Sequence, residues 1–146
     1  MLQYVDTSAL AKRYFAEPGT ERMNALLAGN VKTATSILTY AEMLAVAARK
    51  RKAGDITAGQ LRTIAQSFEA DWKLFHVIPL KDDIRPLIRT VVGKYRLRGA
   101  DGVHLASALF LAQAIQKEMV MVASDIELLD AAKKAGFKVV NPALQQ

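Results

Sequence analysis

The sequence predicts an α/β fold: a three-layer arrangement in which a parallel sheet lies between helices on both faces. Three observations carry this. Strand-like and helix-like segments alternate along the chain, the pattern that parallel sheets require. Met119 to Ala123, MVMVA, is a continuous apolar run of the kind found in a central parallel strand, buried on both faces. Two strand-like segments end in small polar residues that lead straight into a helix: Tyr4-Val5-Asp6-Thr7 and Val122-Ala123-Ser124-Asp125.

Taken in order, Leu2 to Val5 is the first strand. Thr7 to Phe15 follows as a helix, with Thr7 or Ser8 placed to cap it. Glu17-Pro18-Gly19 breaks that helix. Thr20 is placed to cap the next, Glu21 to Ala28, which Gly29-Asn30 closes. Val31 to Thr35 is a short strand. Ser36 caps a helix reaching about Lys52, in which Leu38, Ala41, Ala45 and Ala48 recur at helical spacing. Thr57 caps a long amphipathic helix through Leu61, Ile64, Phe68 and Trp72. Phe75 to Leu80 is the third strand and holds His76, which reads as structural.

Lys81 to Arg96 reads as a helix, with Pro86 either kinking it or marking its first turn. Leu97-Arg98-Gly99 is a turn. Asp101 to Gln116 is apolar on most sides, which marks a buried helix. Met119 to Ala123 is the fourth strand, Ile126 to Ala135 a helix closed by Gly136, and Phe137 to Val140 the last strand. No tract reads as a linker, so a single domain is expected over residues 1–146.

Composition narrows the functional classes. At 51% hydrophobic residues the chain can bury a core, which argues against disorder. The absence of cysteine excludes disulfides and cysteine-bound zinc and fits a cytoplasmic location. No signal peptide is evident, and no apolar run is long enough to span a bilayer. The formal charge of +6 favours polyanionic partners such as nucleic acid.

Asp6 and Asp125 stand just beyond strand ends, where sites form in open parallel sheets. Either also suits a turn residue, and Asp101 suits a helix cap or a first-turn acid. Glu42 differs. It lies among Ala41, Met43 and Leu44 in a largely apolar helix, where a buried charge without a partner is costly. Four carboxylates in one crevice would repel one another and raise one another's pKa, and a divalent cation would relieve this. Oxygen ligands suit Mg2+ or Mn2+ better than zinc.

YVDTSALAKRYFAEPGT, TYAE, RGADGVHLASAL and VASDIELLDAAKKAGFKVV together resemble the PIN-domain family, and within it the VapC-type toxins of toxin–antitoxin pairs. DTSAL and ADxxHLA are the specific parts, and the resemblance covers nearly the whole chain. It implies a five-stranded sheet of order 3-2-1-4-5 and Mg2+- or Mn2+-dependent endoribonuclease activity. It also implies in-line hydrolysis that leaves 5′-phosphate and 3′-hydroxyl ends. Asp6 and Asp101 would be the dependable metal ligands, with Glu42 and Asp125 completing the catalytic cluster directly or through water. Thr7, Ser8 and Ser124 would support them by hydrogen bonds. The implied partners are an RNA substrate, a cognate VapB-like antitoxin and a second copy in a homodimer, with no membrane.

His104 follows Asp101 by three and reads as a packed, hydrogen-bonded core histidine. Two readings stand for Arg49-Lys50-Arg51-Lys52 and for Lys94, Arg96 and Arg98: helix-end cations or contacts to RNA phosphates. Lys12 and Arg13 are placed to join the same rim. Haloacid-dehalogenase-type phosphatases need a second Asp where Ser8 stands, and no Gly-x-Gly-x-x-Gly follows a strand. The alternative from a different class is a non-catalytic RNA- or protein-binding module.

Overall fold

Five parallel strands form one sheet in the order β3-β2-β1-β4-β5. The structure is a computed structural model and describes residues 1–144. The strands are β1 (Leu2–Val5), β2 (Lys32–Ser36), β3 (His76–Ile78), β4 (Met119–Val122) and β5 (Lys138–Val140). Among the described residues there are seven α-helices: α1 (Thr7–Tyr14), α2 (Thr20–Ala28), α3 (Ile37–Lys52), α4 (Ala58–Trp72), α5 (Arg85–Tyr95), α6 (Gly99–Ile115) and α7 (Ile126–Lys134). None of them is long and apolar enough to cross a membrane.

Because successive side chains on a strand point to opposite faces, the sheet separates two cores. Tyr4, Met121 and Ala34 pack with Leu105, Leu111, Val91 and Leu128 from α5, α6 and α7. Val5 and Val122 pack with Leu10, Met23, Met43 and Phe68 from α1 to α4. β1 lies in the middle of the sheet, with Val5 opposite Val122 and Tyr4 opposite Ala34.

Several elements differ from expectation for identifiable reasons. The third strand is shorter than Phe75 to Leu80, since Pro79 has no N–H to donate and β3 is an edge strand. His76 opens it and is exposed. The helix expected over Lys81 to Arg96 is divided into a 3-10 turn at Asp82–Ile84 and α5. Pro86 sits in the first turn of α5, where its missing N–H costs nothing. Arg96 ends that helix at φ 54°, an unusual value for a residue other than glycine. α6 starts at Gly99, earlier than expected, so Asp101 is a first-turn residue and Arg98 the N-cap.

The helix caps also shift. Asp6, rather than Thr7 or Ser8, caps α1. Gly19, rather than Thr20, stands at the N-cap of α2 with φ 101°, and a β-carbon there would strike the backbone of Pro142. Thr20 instead folds its hydroxyl onto the Glu17 backbone, donating to the carbonyl at 2.9 Å and accepting from the N–H at 3.1 Å.

α3 buries a different face from the one its spacing indicates. Thr39, Met43 and Ala47 are buried, whereas Ala41, Ala45 and Ala48 are exposed. Ahead of its basic last turn the helix has apolar residues on several sides, so spacing alone does not select a face. The larger Met43 gains more from burial than alanine does.

Candidate active site

β1 and β4 are neighbours, and the chain leaves them in opposite directions across the sheet order. That is the switch point at which α/β sheets open a crevice. Asp6 and Asp125 stand beyond the ends of these two strands. Each caps the helix that follows: Asp6 Oδ1 accepts from the Ala9 N–H at 3.0 Å, and Asp125 Oδ1 accepts from the Leu128 N–H at 3.0 Å. Capping and chemistry are therefore not alternatives at these positions, because a cap bond takes only one of the lone pairs that a carboxylate offers.

Ser8 joins the two strand ends. Its hydroxyl donates to both oxygens of Asp6 at 2.8 Å and accepts from the Ser124 N–H at 2.9 Å. The Ser124 hydroxyl donates to Asn141 Oδ1 at 3.0 Å, which ties in the end of β5. Thr7, next to Asp6, donates from Oγ1 to Glu42 Oε1 at 2.7 Å. Glu42 comes from the first half of α3, and the same Oε1 lies 2.7 Å from His104 Nε2. His104 is 2% exposed, and its Nδ1 lies 2.8 Å from the hydroxyl of the buried Tyr4.

Asp101 enters from the first turn of α6. Among the described residues its carboxylate has no hydrogen-bond or salt-bridge partner. Burial pushes its pKa up, and the charges of Asp125 and Asp6 add to the rise, against lowering by His104 and Arg98. Asp6 is also raised, chiefly by burial, against hydrogen bonds from Ser8 and Ala9 and the pull of His104. Glu42 goes the other way. Burial works to raise it, but the hydrogen bonds from His104 and Thr7, with the charges of His104 and Arg49, bring it below the ordinary carboxylate value. The Tyr4 hydroxyl is raised well above its ordinary value by burial and then by Asp6.

Asp6, Asp101 and Asp125 thus share one electrostatic field, and Glu42 joins them through Thr7 and His104. The acids do not close on a point. Among the described residues, no three His, Cys, Asp or Glu side chains form a ready-made metal-holding group. The donor set fits a hard divalent cation nonetheless, since it consists of carboxylates supported by hydroxyls, and among the described residues Asp6, Asp101 and Asp125 have no salt-bridge partner.

His104 is a packed, hydrogen-bonded histidine, as its surroundings in the sequence indicate, but its link to Glu42 lies beyond sequence reading. The spacing of Asp101 and His104 was the available signal; Tyr4 offered none. Lys12 and Arg13 do not belong to a free basic rim. Lys12 is buried and paired with Glu17 at 3.3 Å, and Arg13 is paired with Asp71 at 2.6 Å. Lys50 lies over the Phe15 ring, 5.0 Å from its centroid.

Acids beyond the ends of the first and fourth strands of a five-stranded parallel sheet of order 3-2-1-4-5 define a PIN-like α/β fold. The chain belongs to the PIN domain family, whose model matches residues 3–134. It is 30% identical over 138 residues to Ribonuclease VapC45 of Mycobacterium tuberculosis (strain CDC 1551 / Oshkosh), covering 94% of each protein. Ribonuclease VapC49 of Mycobacterium tuberculosis (strain ATCC 25618 / H37Rv) matches with the same identity and coverage. Among solved structures, FitAB bound to an IR36 DNA fragment superposes with a TM-score of 0.74 at 19% identity, covering 100% of this chain and 98% of that one. VapBC2 from Rickettsia felis, bound to a DNA fragment from its promoter, gives 0.64 at 15% identity, covering 97% and 98%.

Proposed function

We propose that the protein is an endoribonuclease dependent on Mg2+ or Mn2+, acting as the toxin of a VapBC-type toxin–antitoxin pair. The observation that carries this is Asp101. It is a partly buried carboxylate with no countercharge bonded to it, raised by the neighbouring charges of Asp125 and Asp6. A fold with no use for a cation has no reason to hold these acids together. The relatives named ribonucleases, matched over 94% of both chains, support RNA as the substrate.

Asp6 and Asp101 would hold the cation, with Glu42 and Asp125 completing its surroundings directly or through water. When bound, such a cation supplies an activated water and neutralises charge building on the phosphate. The chain's own residues do the rest. Ser8 orients Asp6 and anchors it to the β4 end; Thr7 and His104 keep Glu42 ionised. Arg98 and Arg49 set positive charge beside Asp101 and Glu42, where they orient the phosphates on either side of the cut.

The proposal extends to a cognate VapB-like antitoxin, supported by relatives solved as VapBC and toxin–antitoxin complexes, and to a homodimer in the cytoplasm. Cleavage of a mixed cellular RNA pool is the test, run with Mg2+, Mn2+ or EDTA. Wild type should cut only with metal. Asp6→Asn and Asp101→Asn should stay folded and lose at least about 100-fold in rate. Equal cutting in EDTA, or 2′,3′-cyclic phosphate ends, would overturn the mechanism. The second reading, a non-catalytic binding module, draws on the absence of a ready-made metal-holding group among the described residues. RNA binding without cleavage under every metal condition would establish it.

A further inference from the structure

We infer that Tyr4 and His104 form a directional hydrogen-bond relay that fixes the Glu42 carboxylate at the crevice, making both of them positioning residues for cation binding. This rests on the metal-dependent reading above. The relay starts in the core. Tyr4 is 0% exposed on β1, and His104 is 2% exposed on α6. It ends on Glu42 of α3, whose side chain is 31% exposed. The tyrosine satisfies only Nδ1 of the buried ring, and Nε2 finds its partner in a carboxylate that reaches the surface.

The chemistry sets the direction. A carboxylate only accepts hydrogen bonds, so both contacts on Glu42 Oε1 are donated to it: one by the Thr7 hydroxyl, one by His104 Nε2–H. With its proton on Nε2, the neutral ring offers Nδ1 as an acceptor. The group facing Nδ1 at 2.8 Å is the Tyr4 hydroxyl, which can donate to it. The Glu42 carboxylate therefore fixes the histidine tautomer, and the Tyr4 hydroxyl, donating to Nδ1, reinforces it. Both bonds to Glu42 fall on Oε1, and among the described residues Oε2 has no hydrogen-bond partner. Partners of this kind orient metal ligands, and removing one typically costs about 10–100-fold in metal affinity.

Two measurements test this. The first is Mn2+ binding followed by electron paramagnetic resonance on wild type, His104→Ala, His104→Gln and Tyr4→Phe, each checked for folding by thermal melting. Gln offers a donor at one end and an acceptor at the other, so it can replace the imidazole. His104→Ala should weaken Mn2+ binding by about 10-fold or more, Tyr4→Phe by less, and His104→Gln should restore most of the loss. Wild-type affinity in His104→Ala, or equal weakening in the Ala and Gln variants, would overturn the inference. The second measurement is independent of metal: the His104 tautomer, read by 15N nuclear magnetic resonance. Nε2–H should dominate in wild type and give way to a mixture in Tyr4→Phe. A wild-type ring protonated on Nδ1 alone would overturn the relay while leaving the nuclease reading intact. A wild type that shows the Nε2–H ring but binds no Mn2+ would overturn the metal reading, and with it the role given to Glu42.

Discussion

The environments of Asp101 and Glu42 move them in opposite directions, and stability should follow. The folded-state pKa of Asp101 is raised above its ordinary value of 3.8. Its environment therefore favours the protonated form, and the associated stability is complete below 3.8 and lost as pH rises through the raised value. Asp101→Asn should accordingly melt higher than wild type at neutral pH without metal, with the gain vanishing near pH 3. Glu42 is lowered, so its contribution is present above its ordinary value and lost as pH falls through the lowered one. Glu42→Gln should melt lower than wild type at neutral pH and converge with it in acid. Melting curves of both variants across pH 3–7 check the pair; parallel behaviour would show that the two acids do not differ as described. The sequence separates them by local context, Asp101 as a helix-start acid and Glu42 as a charge in a largely apolar helix, but it carries no sign of the opposite shifts. The difference arises from His104 and Thr7, which reach Glu42 from elsewhere in the chain.

The helices carry predictions of their own. Gly102 lies where α6 crosses α5, and a β-carbon there would fall far inside contact distance of Val92. Gly102→Ala should destabilise the protein by about 1–3 kcal/mol through overpacking. Gly93, also in a helix, has open space around it. Gly93→Ala should instead stabilise by about 0.5–1 kcal/mol, since alanine is the better helix former. Denaturant titration of the two variants distinguishes packing from propensity. On α3, Met43→Ala should cost about 2–5 kcal/mol, whereas Ala45→Ser on the exposed side should stay within about 0.5 kcal/mol. Equal costs would favour the alanine face that spacing suggests. Helix positions were legible because capping residues and breakers act within a few residues. The buried face of α3 was not, because a helix with small apolar residues on several sides has no single stripe.

At the scale of the whole molecule, β1 is the spine. It has a partner strand on each side and a core on each face, and its last residue leads directly into Asp6. Its amides should exchange with solvent more slowly than those of the short edge strands β3 and β5, and native-state hydrogen exchange checks this. By itself the sequence determined the alternation of strands and helices, the apolar central strand, and the acids placed at strand ends and helix starts. These features depend on neighbours close in the chain: turn residues, caps and the period of apolar side chains. Only the tertiary structure decided which face of α3 is buried, that Lys12 and Arg13 spend their charge on Glu17 and Asp71, and that Glu42 meets His104. Apart from the local Lys12–Glu17 pair, those outcomes bring together residues from different helices. Their partners are chosen by how the helices pack across the sheet, and local sequence carries no record of that choice.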